Sequence, residues 1–412
     1  MIAFEEALRL LDNHIKPNAI IQAPILESLG LALAKPVAAR ADSPRFDASA
    51  VDGYAVSLAD FSNGVPVTLP IAGTLHAGAA SRKALKPGST QRIFTGAPVP
   101  KGADAIVMQE DITLIENRVS FTTLPKLGTY IRKHGAEFRR GERLFEMGTI
   151  ITPAVAQSLA ACGYAKVKVH ARPSVSIIVT GDELRTPGTK LRNGEIWDSN
   201  AIGLEAALRA LGVTDVHTHH VSDNSRTTTK AVRSALERSD VVIATGGVSV
   251  GERDYVREAF AANQVREIFW RVRIRPGMPI YFGTKRQNGR TKYIFGLPGN
   301  PVSVMVTYLL FVRRAILGMM GHPEMDTLLN GILATTLKKS IARTEFVRAH
   351  RGRSYRERSS NSLPTIVPLA TRESHMTTGM AKADSLIVFP EEQELLEAGS
   401  EVQIIPIMWT AY

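Results

Sequence analysis

The sequence predicts a multidomain chain of α/β plus all-β class, with a central doubly wound α/β domain between two β-rich parts. Three observations carry this reading. Strand-like and helix-like segments alternate from residue 173 to about 317. A β texture broken by Gly and Pro runs from about 42 to 142, and a second β-rich stretch runs from about 323 to 412. With 412 residues, 44% of them apolar, the chain can build two to four cores of ordinary domain size.

Residues 3–14 set Phe4, Leu8, Leu10 and Leu11 among charged side chains, which predicts an amphipathic helix. Residues 25–34 read as a second helix-like run. Segments 65–71, 91–94, 105–109 and 118–122 read as short strands of one β module. Pro153–Ala161 reads as a helix with Pro153 in its first turn.

In the α/β part, strand 174–180 enters a Gly181-Asp182-Glu183 turn. Helix 201–211 has Ser199 or Asn200 as N-cap and Gly212 behind it. Strand 213–221 leads to a helix capped by Asp223, Asn224 or Ser225. Strand 241–244, helix Tyr255–Ala262, strands 268–274 and 293–295 and helix 301–317 complete the domain. This alternation implies a mostly parallel sheet with helices on both faces. The turns after Thr180, Thr245 and Leu297 should then share the edge where such sheets bind ligands. Residues 318–323 read as a linker. Segments 332–337, 345–349, 365–369, Ser385–Phe389 and 401–407 read as strands of a small separate domain. The expected boundaries are 1–42 with 143–171 (helical and extended linker domain), 43–142 (inserted β module), 172–322 (α/β) and 323–412 (C-terminal β domain).

A net charge of +11 and a pI near 9.7 favour anionic partners. Arginines 343, 348, 351, 353, 356 and 358 cluster with almost no aromatic but Tyr355, which suits a solvated strand pair and not a nucleic-acid face. Cys162 is the only cysteine, so no internal disulfide and no cysteine-rich zinc site can form. Glu5 and Glu6 stand where a signal peptide carries positive charge. Arg313 and Arg314 interrupt the longest apolar stretch, 302–320, so no membrane span is expected and the chain reads as cytoplasmic.

Two strand–turn–helix motifs stand out. Gly246-Gly247 follows a buried strand and precedes a helix opening near Asp254; Pro298-Gly299-Asn300-Pro301-Val302-Ser303 repeats the pattern. There Asn300 suits an N-cap, Pro301 pre-sets the first helical turn, and Ser303 adds a hydroxyl. Both motifs leave amide hydrogens at a helix N-terminus, and the pair suggests a phosphate-bearing ligand. Acids recur at the turns: Asp182, Glu183, Asp198, Asp223, Asp240 and Asp254. Three of them together could hold Mg²⁺, but Asp223 and Asp254 suit helix caps equally, and Asp240 a strand end. By period two, Arg271, Arg273 and Arg275 share a strand face, as an anion site or a solvated edge. Segment 42–55 reads as a shaped loop, as does Thr95-Gly96-Ala97-Pro98. His217, His219 and His220 read as surface residues. No Ser/His/Asp signature or nucleophile elbow is present, so the nucleophile falls to substrate or water.

Together these blocks resemble the MoeA / gephyrin E-domain family, the molybdopterin molybdenumtransferases. The resemblance rests on the ordered set Ser49-Ala50-Val51-Asp52-Gly53-Tyr54-Ala55, Phe94-Thr95-Gly96-Ala97-Pro98-Val99-Pro100-Lys101-Gly102-Ala103-Asp104-Ala105, Thr180-Gly181-Asp182-Glu183-Leu184, Thr245-Gly246-Gly247-Val248-Ser249-Val250-Gly251 and Leu297-Pro298-Gly299-Asn300-Pro301-Val302-Ser303. It implies a MogA/MoaB-like central domain, an inserted β module and a C-terminal β-barrel. It also implies a homodimer, with the active site between the α/β domain of one subunit and the β module of the other. The implied reaction moves molybdenum from molybdate into adenylylated molybdopterin, with release of AMP and help from Mg²⁺. Transient contact with the molybdopterin adenylyltransferase and with cofactor-accepting enzymes is implied too, and neither nucleic acid nor membrane.

Carried over by position, the resemblance gives catalytic roles to Asp52, Thr95, Glu183, Asp223 and Asp254. Glu183, Asp223 and Asp254 are the acids around Mg²⁺. Gly246, Gly247 and Ser249 form the cradle, with Pro298, Asn300 and Pro301 in the second turn. Arg275, Pro279, Ser303, Arg348 and Ser374 fall at the oxyanion site, and Arg271 nearby. The chain departs from the family pattern at Met278 and Arg275, each for a usual Lys, at Glu137 for Asp and at Ala48 for Asn. Met278 removes a cation from the oxyanion site. A diverged paralogue with altered oxyanion use, tungstate for example, and a non-catalytic scaffold therefore stand beside the transferase as alternatives.

Overall fold

The computed structural model describes residues 1–78, 84–247, 255–323, 328–352, 363–370 and 373–411. The chain divides into two compact units, one of residues 1–35, 147–156 and 166–412, the other of 36–146 and 157–165.

The first unit is built on a six-stranded sheet in the order Val216–Val221, Val175–Thr180, Val241–Thr245, Arg290–Leu297, Tyr281–Gln287, Arg266–Trp270. The first four strands run parallel, and the last two add antiparallel. Val175–Thr180 and Val241–Thr245 are buried at every position, as strands covered on both faces must be. Ile178, Val242 and Ala244 pack against Val232 and Leu236 of helix Ser225–Arg238 and Phe260 of helix Tyr255–Ala262. Helices Asn200–Ala210 and Pro301–Thr307 pack on the sheet and on each other.

Several local expectations need correcting. Residues 25–34 make a single 3₁₀ turn, Leu26–Ser28, and then turn at Gly30 (φ 76°) into extended chain bridged to Ile150 and Val169. The strand expected over 268–274 ends at Trp270, because Arg271 takes a left-handed φ of 65°. The three arginines therefore do not share a face. Arg271 lies over the Trp270 ring at 4.1 Å, and Arg273 pairs with Glu391 at 2.7 Å. Strand Tyr281–Gln287 was not anticipated, since its second half, Thr284-Lys285-Arg286-Gln287, is polar.

Pro301–Thr307 continues through a π-helical turn, Tyr308–Val312, into Arg313–Met319. This helix is long and apolar enough to cross a membrane, yet 72% of its apolar window is buried within the fold. Beyond it, five strands close into a barrel: Thr344–Arg351, Thr365–Pro368, Leu329–Leu333, Glu401–Pro406 and Ser385–Phe389, the last pairing back to the first. Leu333, Val347, Ile387 and Phe389 fill it. A short strand, Ile274–Arg275, pairs parallel with the start of Thr344–Arg351 and ties the barrel to the α/β sheet.

The second unit holds another six-stranded sheet, in the order Ala105–Met108, Gly53–Val56, Thr90–Ile93, Val67–Leu75, Arg118–Phe121, Ile112–Ile115. Its core includes Tyr54, Val56, Phe61 and Phe121. Gly53–Val56, read from sequence as loop, is a fully buried strand between two neighbours.

Candidate active site

In the first unit, register pairs Val179 with Thr245 and Thr245 with Leu297, so the turns after these strands open side by side. They border a cavity of about 1040 Å³. Glu183, Asp223, Gly246 and Gly247 line it from the α/β turns. Pro298, Asn300, Pro301 and Ser303 line it from the turn after Arg290–Leu297. Arg275 enters from the end of the short strand, Met278 and Pro279 from the loop after it, and Arg343, Arg348 and Ser374 from the barrel domain.

The turn after Thr245 needs its glycines. Gly246 has φ 86°, and a Cβ there would lie 2.7 Å from Thr180 O. Gly181 has φ 149°, and a Cβ there would lie 2.9 Å from the Glu183 carboxylate oxygens. Asp182 and Asp223 bond reciprocally: Asp182 N–H donates to Asp223 Oδ2 at 3.4 Å, and Asp223 N–H to Asp182 Oδ1 at 3.2 Å. Asp223 therefore does not cap the next helix. Asn224 does, accepting from the N–H groups of Arg226 and Thr227.

The second turn is held from two sides. Asn200 Nδ2 donates to Gly299 O at 2.7 Å and to Thr245 Oγ1 at 3.3 Å, and Thr245 Oγ1 donates to Pro298 O at 3.1 Å. Asn300 sits at the N-cap with Pro301 behind it, as expected, but its side chain makes no cap. Its Nδ2 donates instead to Ser374 Oγ at 3.0 Å, while Ser374 O accepts the Val302 N–H. A barrel residue thus caps an α/β helix.

Arg348 is buried (4% exposed), which pulls its pKa down. Its guanidinium donates to Met376 O at 3.0 Å and Glu373 O at 3.1 Å. The solvated reading fails for this arginine; positions 353, 356 and 358 lie outside the described residues. Asp198, also buried, accepts from the N–H groups of Asn200 and Ala201 and pairs with His220 at 2.9 Å. His220 is therefore tied to an acid, and the cap of helix Asn200–Ala210 comes from Asp198, not from Ser199 or Asn200. Asp240 bonds Ser174 and faces Lys292 at the opposite edge, where it joins strand starts.

Of the remaining expected site residues, Arg271 does not line the cavity. Asp52 and Thr95 lie in the second unit, where they bond each other. Ser249 and Asp254 lie outside the described residues. Among the described residues no three His, Cys, Asp or Glu side chains converge as a metal site. Glu183 and Asp223 remain as hard oxygen donors on the cavity wall. Sequence reading missed Trp197, Glu345 and the linking role of Asn200; the run Asp198-Ser199-Asn200 carried a signal for the last.

Three family models match the chain. They are the MoeA N-terminal region (domain I and II) over residues 2–163, a probable molybdopterin binding domain over 176–318, and the MoeA C-terminal region (domain IV) over 330–407. A molybdopterin molybdenumtransferase of Haemophilus influenzae is 35% identical over 367 residues, covering 88% of each chain. Molybdopterin molybdenumtransferase 2 of Mycobacterium tuberculosis is 33% identical, covering 98% of this chain and 99% of its own. The crystal structure of the molybdopterin biosynthesis moeA protein from Pyrococcus horikoshii OT3 superimposes with a TM-score of 0.79 at 25% identity, covering 99% of this chain and all of the other.

Proposed function

Because the chain belongs to the MoeA family of molybdopterin molybdenumtransferases, we propose that its first-unit cavity transfers molybdenum from molybdate to adenylylated molybdopterin, releasing AMP. The observation that carries this reading is one cavity shared by two glycine turns and by Arg275 and Arg343. Turns of this kind suit phosphate groups, and arginine forks suit oxyanions. The substrate's own thiolates are the nucleophile, so no side chain need form a covalent intermediate.

The donor set fits Mg²⁺: one or two carboxylates plus substrate phosphates are its usual complement, and Glu183 and Asp223 are such carboxylates. Bound there, the ion would neutralise phosphate charge. Ser303 and Arg275 orient the oxyanion. Arg348 holds the segment that carries Ser374 through the carbonyls of Glu373 and Met376. Asp52 and Thr95 act on the substrate from the second unit of a partner subunit in a homodimer, and the enzyme works in the cytoplasm.

Met278 on the cavity wall supports a second reading, in which the chain binds the nucleotide–pterin but uses oxyanion poorly. Incubation of the purified protein with adenylylated molybdopterin, Mg²⁺ and molybdate separates the two. The transferase reading expects metal-loaded pterin and AMP in equal amounts. Tight binding with neither product favours the second reading.

A further inference from the structure

Trp197 lines the cavity and is half exposed (52%), next to Ile196, which is about as exposed. A lone exposed apolar residue is ordinary. An exposed indole held in one orientation beside a ligand cavity is not. Trp197 Nε1 donates to Thr189 O at 2.9 Å. The strand carrying it is clamped as well: Ile196 N–H donates to Glu183 O at 2.9 Å and Asp198 N–H to Arg185 O at 2.8 Å. Arg185 and Glu195 close the intervening loop with an ion pair at 2.6 Å. The indole therefore stands on a fixed strand, bonded to Glu183 on one side and followed by the helix-capping Asp198.

Resting on the function proposed above, we propose that Trp197 is a stacking platform for a planar nitrogen heterocycle of the bound substrate. A pre-fixed ring gives up little freedom when a ligand covers it, and a half-exposed indole still has flat apolar surface to lay against a planar ligand. Adenylylated molybdopterin offers two heterocycles of this chemistry, adenine and the pterin.

The test uses the full chain as wild type, Trp197→Phe and Trp197→Leu, with AMP, a free pterin and ribose 5-phosphate as separate probes. Affinity is read by calorimetry and stacking by quenching of tryptophan emission. The chain has three tryptophans, and Trp270, with Arg257 and Arg271 over its ring at 3.9 and 4.1 Å, supplies a background. A heterocycle should quench the wild type, and Trp197→Phe should abolish the quenching while holding affinity within about threefold. Trp197→Leu should weaken that heterocycle about tenfold, the scale of base stacking on an aromatic ring, and leave ribose 5-phosphate unchanged. A response to AMP alone assigns adenine to the platform; a response to the pterin alone assigns the pterin. Wild-type heterocycle affinity in Trp197→Leu, or an equal loss for ribose 5-phosphate, overturns the proposal. If the wild type inserts molybdenum but neither heterocycle quenches it, stacking falls and the transferase reading stands. If it neither inserts metal nor binds either heterocycle, both fall.

Discussion

In the second unit a single oxygen of Asp52, Oδ1, accepts both the backbone N–H and the hydroxyl of Thr95, each at 2.7 Å. The amide bond, then the hydroxyl bond, holds the carboxyl below the usual carboxylate range, with Arg92 adding a smaller pull. A depressed pKa makes this clasp favour the folded loop above the carboxyl's unfolded pKa, and the advantage is lost as pH falls through the folded value. Thr95→Ala should raise the Asp52 titration midpoint seen by carbon NMR, yet leave it under the ordinary value, since the amide remains. An unmoved midpoint would mean that the hydroxyl contributes nothing.

Met278 sets a second prediction. Its carbonyl accepts the Val272 N–H at 3.0 Å, so the loop is held by backbone and a new side chain should not displace it. Met278→Lys brings a cation to the cavity wall. A charge-assisted hydrogen bond contributes about 1.5–3 kcal/mol, roughly ten- to a hundredfold in affinity. The molybdate concentration giving half-maximal insertion should fall by about tenfold at least. No change would place the oxyanion elsewhere.

The parallel part of the sheet was legible in the sequence because apolar strands alternate there with periodic helices. Helix Tyr255–Ala262 and strand Ser385–Phe389 fall at the expected residues. The turns after Thr180, Thr245 and Leu297 share an edge for the reason parallel topology gives. What escaped was set by tertiary contact. Arg271 follows the alternation of a strand, but its left-handed backbone and its stack on Trp270 belong to a turn. Asn300 has the right identity for a cap, yet Ser374, more than seventy residues on, takes its side chain. Trp197 carries no local mark of a cavity residue; only the pairing of its strand beside Glu183 puts it there.

Asn200 joins the two glycine turns, and its loss should separate binding from stability. Asn200→Ala removes both donors that hold Gly299 O and Thr245 Oγ1. It also removes Oδ1, which is buried without a hydrogen-bond partner among the described residues. An unpaired buried acceptor costs about 1–3 kcal/mol, so its removal offsets much of the lost bonding. The melting temperature should therefore move by no more than about 2–4 °C, the shift expected for about 1 kcal/mol in a domain this size. AMP affinity should fall about tenfold, because the second turn loses its tether. Equal wild-type and variant affinity would show that the turn holds its shape through Ser374 alone.

Gly246 gives the sharpest test of the cradle, because strain and steric clash can be told apart. At φ 86° any side chain costs about 1–2 kcal/mol through the backbone alone. Gly289, in the hairpin between Tyr281–Gln287 and Arg290–Leu297, has φ 74° and open space around an added Cβ, so Gly289→Ala measures that strain by itself. At Gly246 the added Cβ would also lie 2.7 Å from Thr180 O and 2.8 Å from Thr180 Oγ1. Strands Val175–Thr180 and Val241–Thr245 must then part at the very edge that borders the cavity. Gly289→Ala should lower unfolding stability by about 1 kcal/mol and keep molybdenum insertion. Gly246→Ala should cost more and abolish insertion, with the loss still present at low temperature, where the variant is folded. Normal insertion by folded Gly246→Ala would mean that the turn's close approach to Thr180 plays no part in holding the substrate.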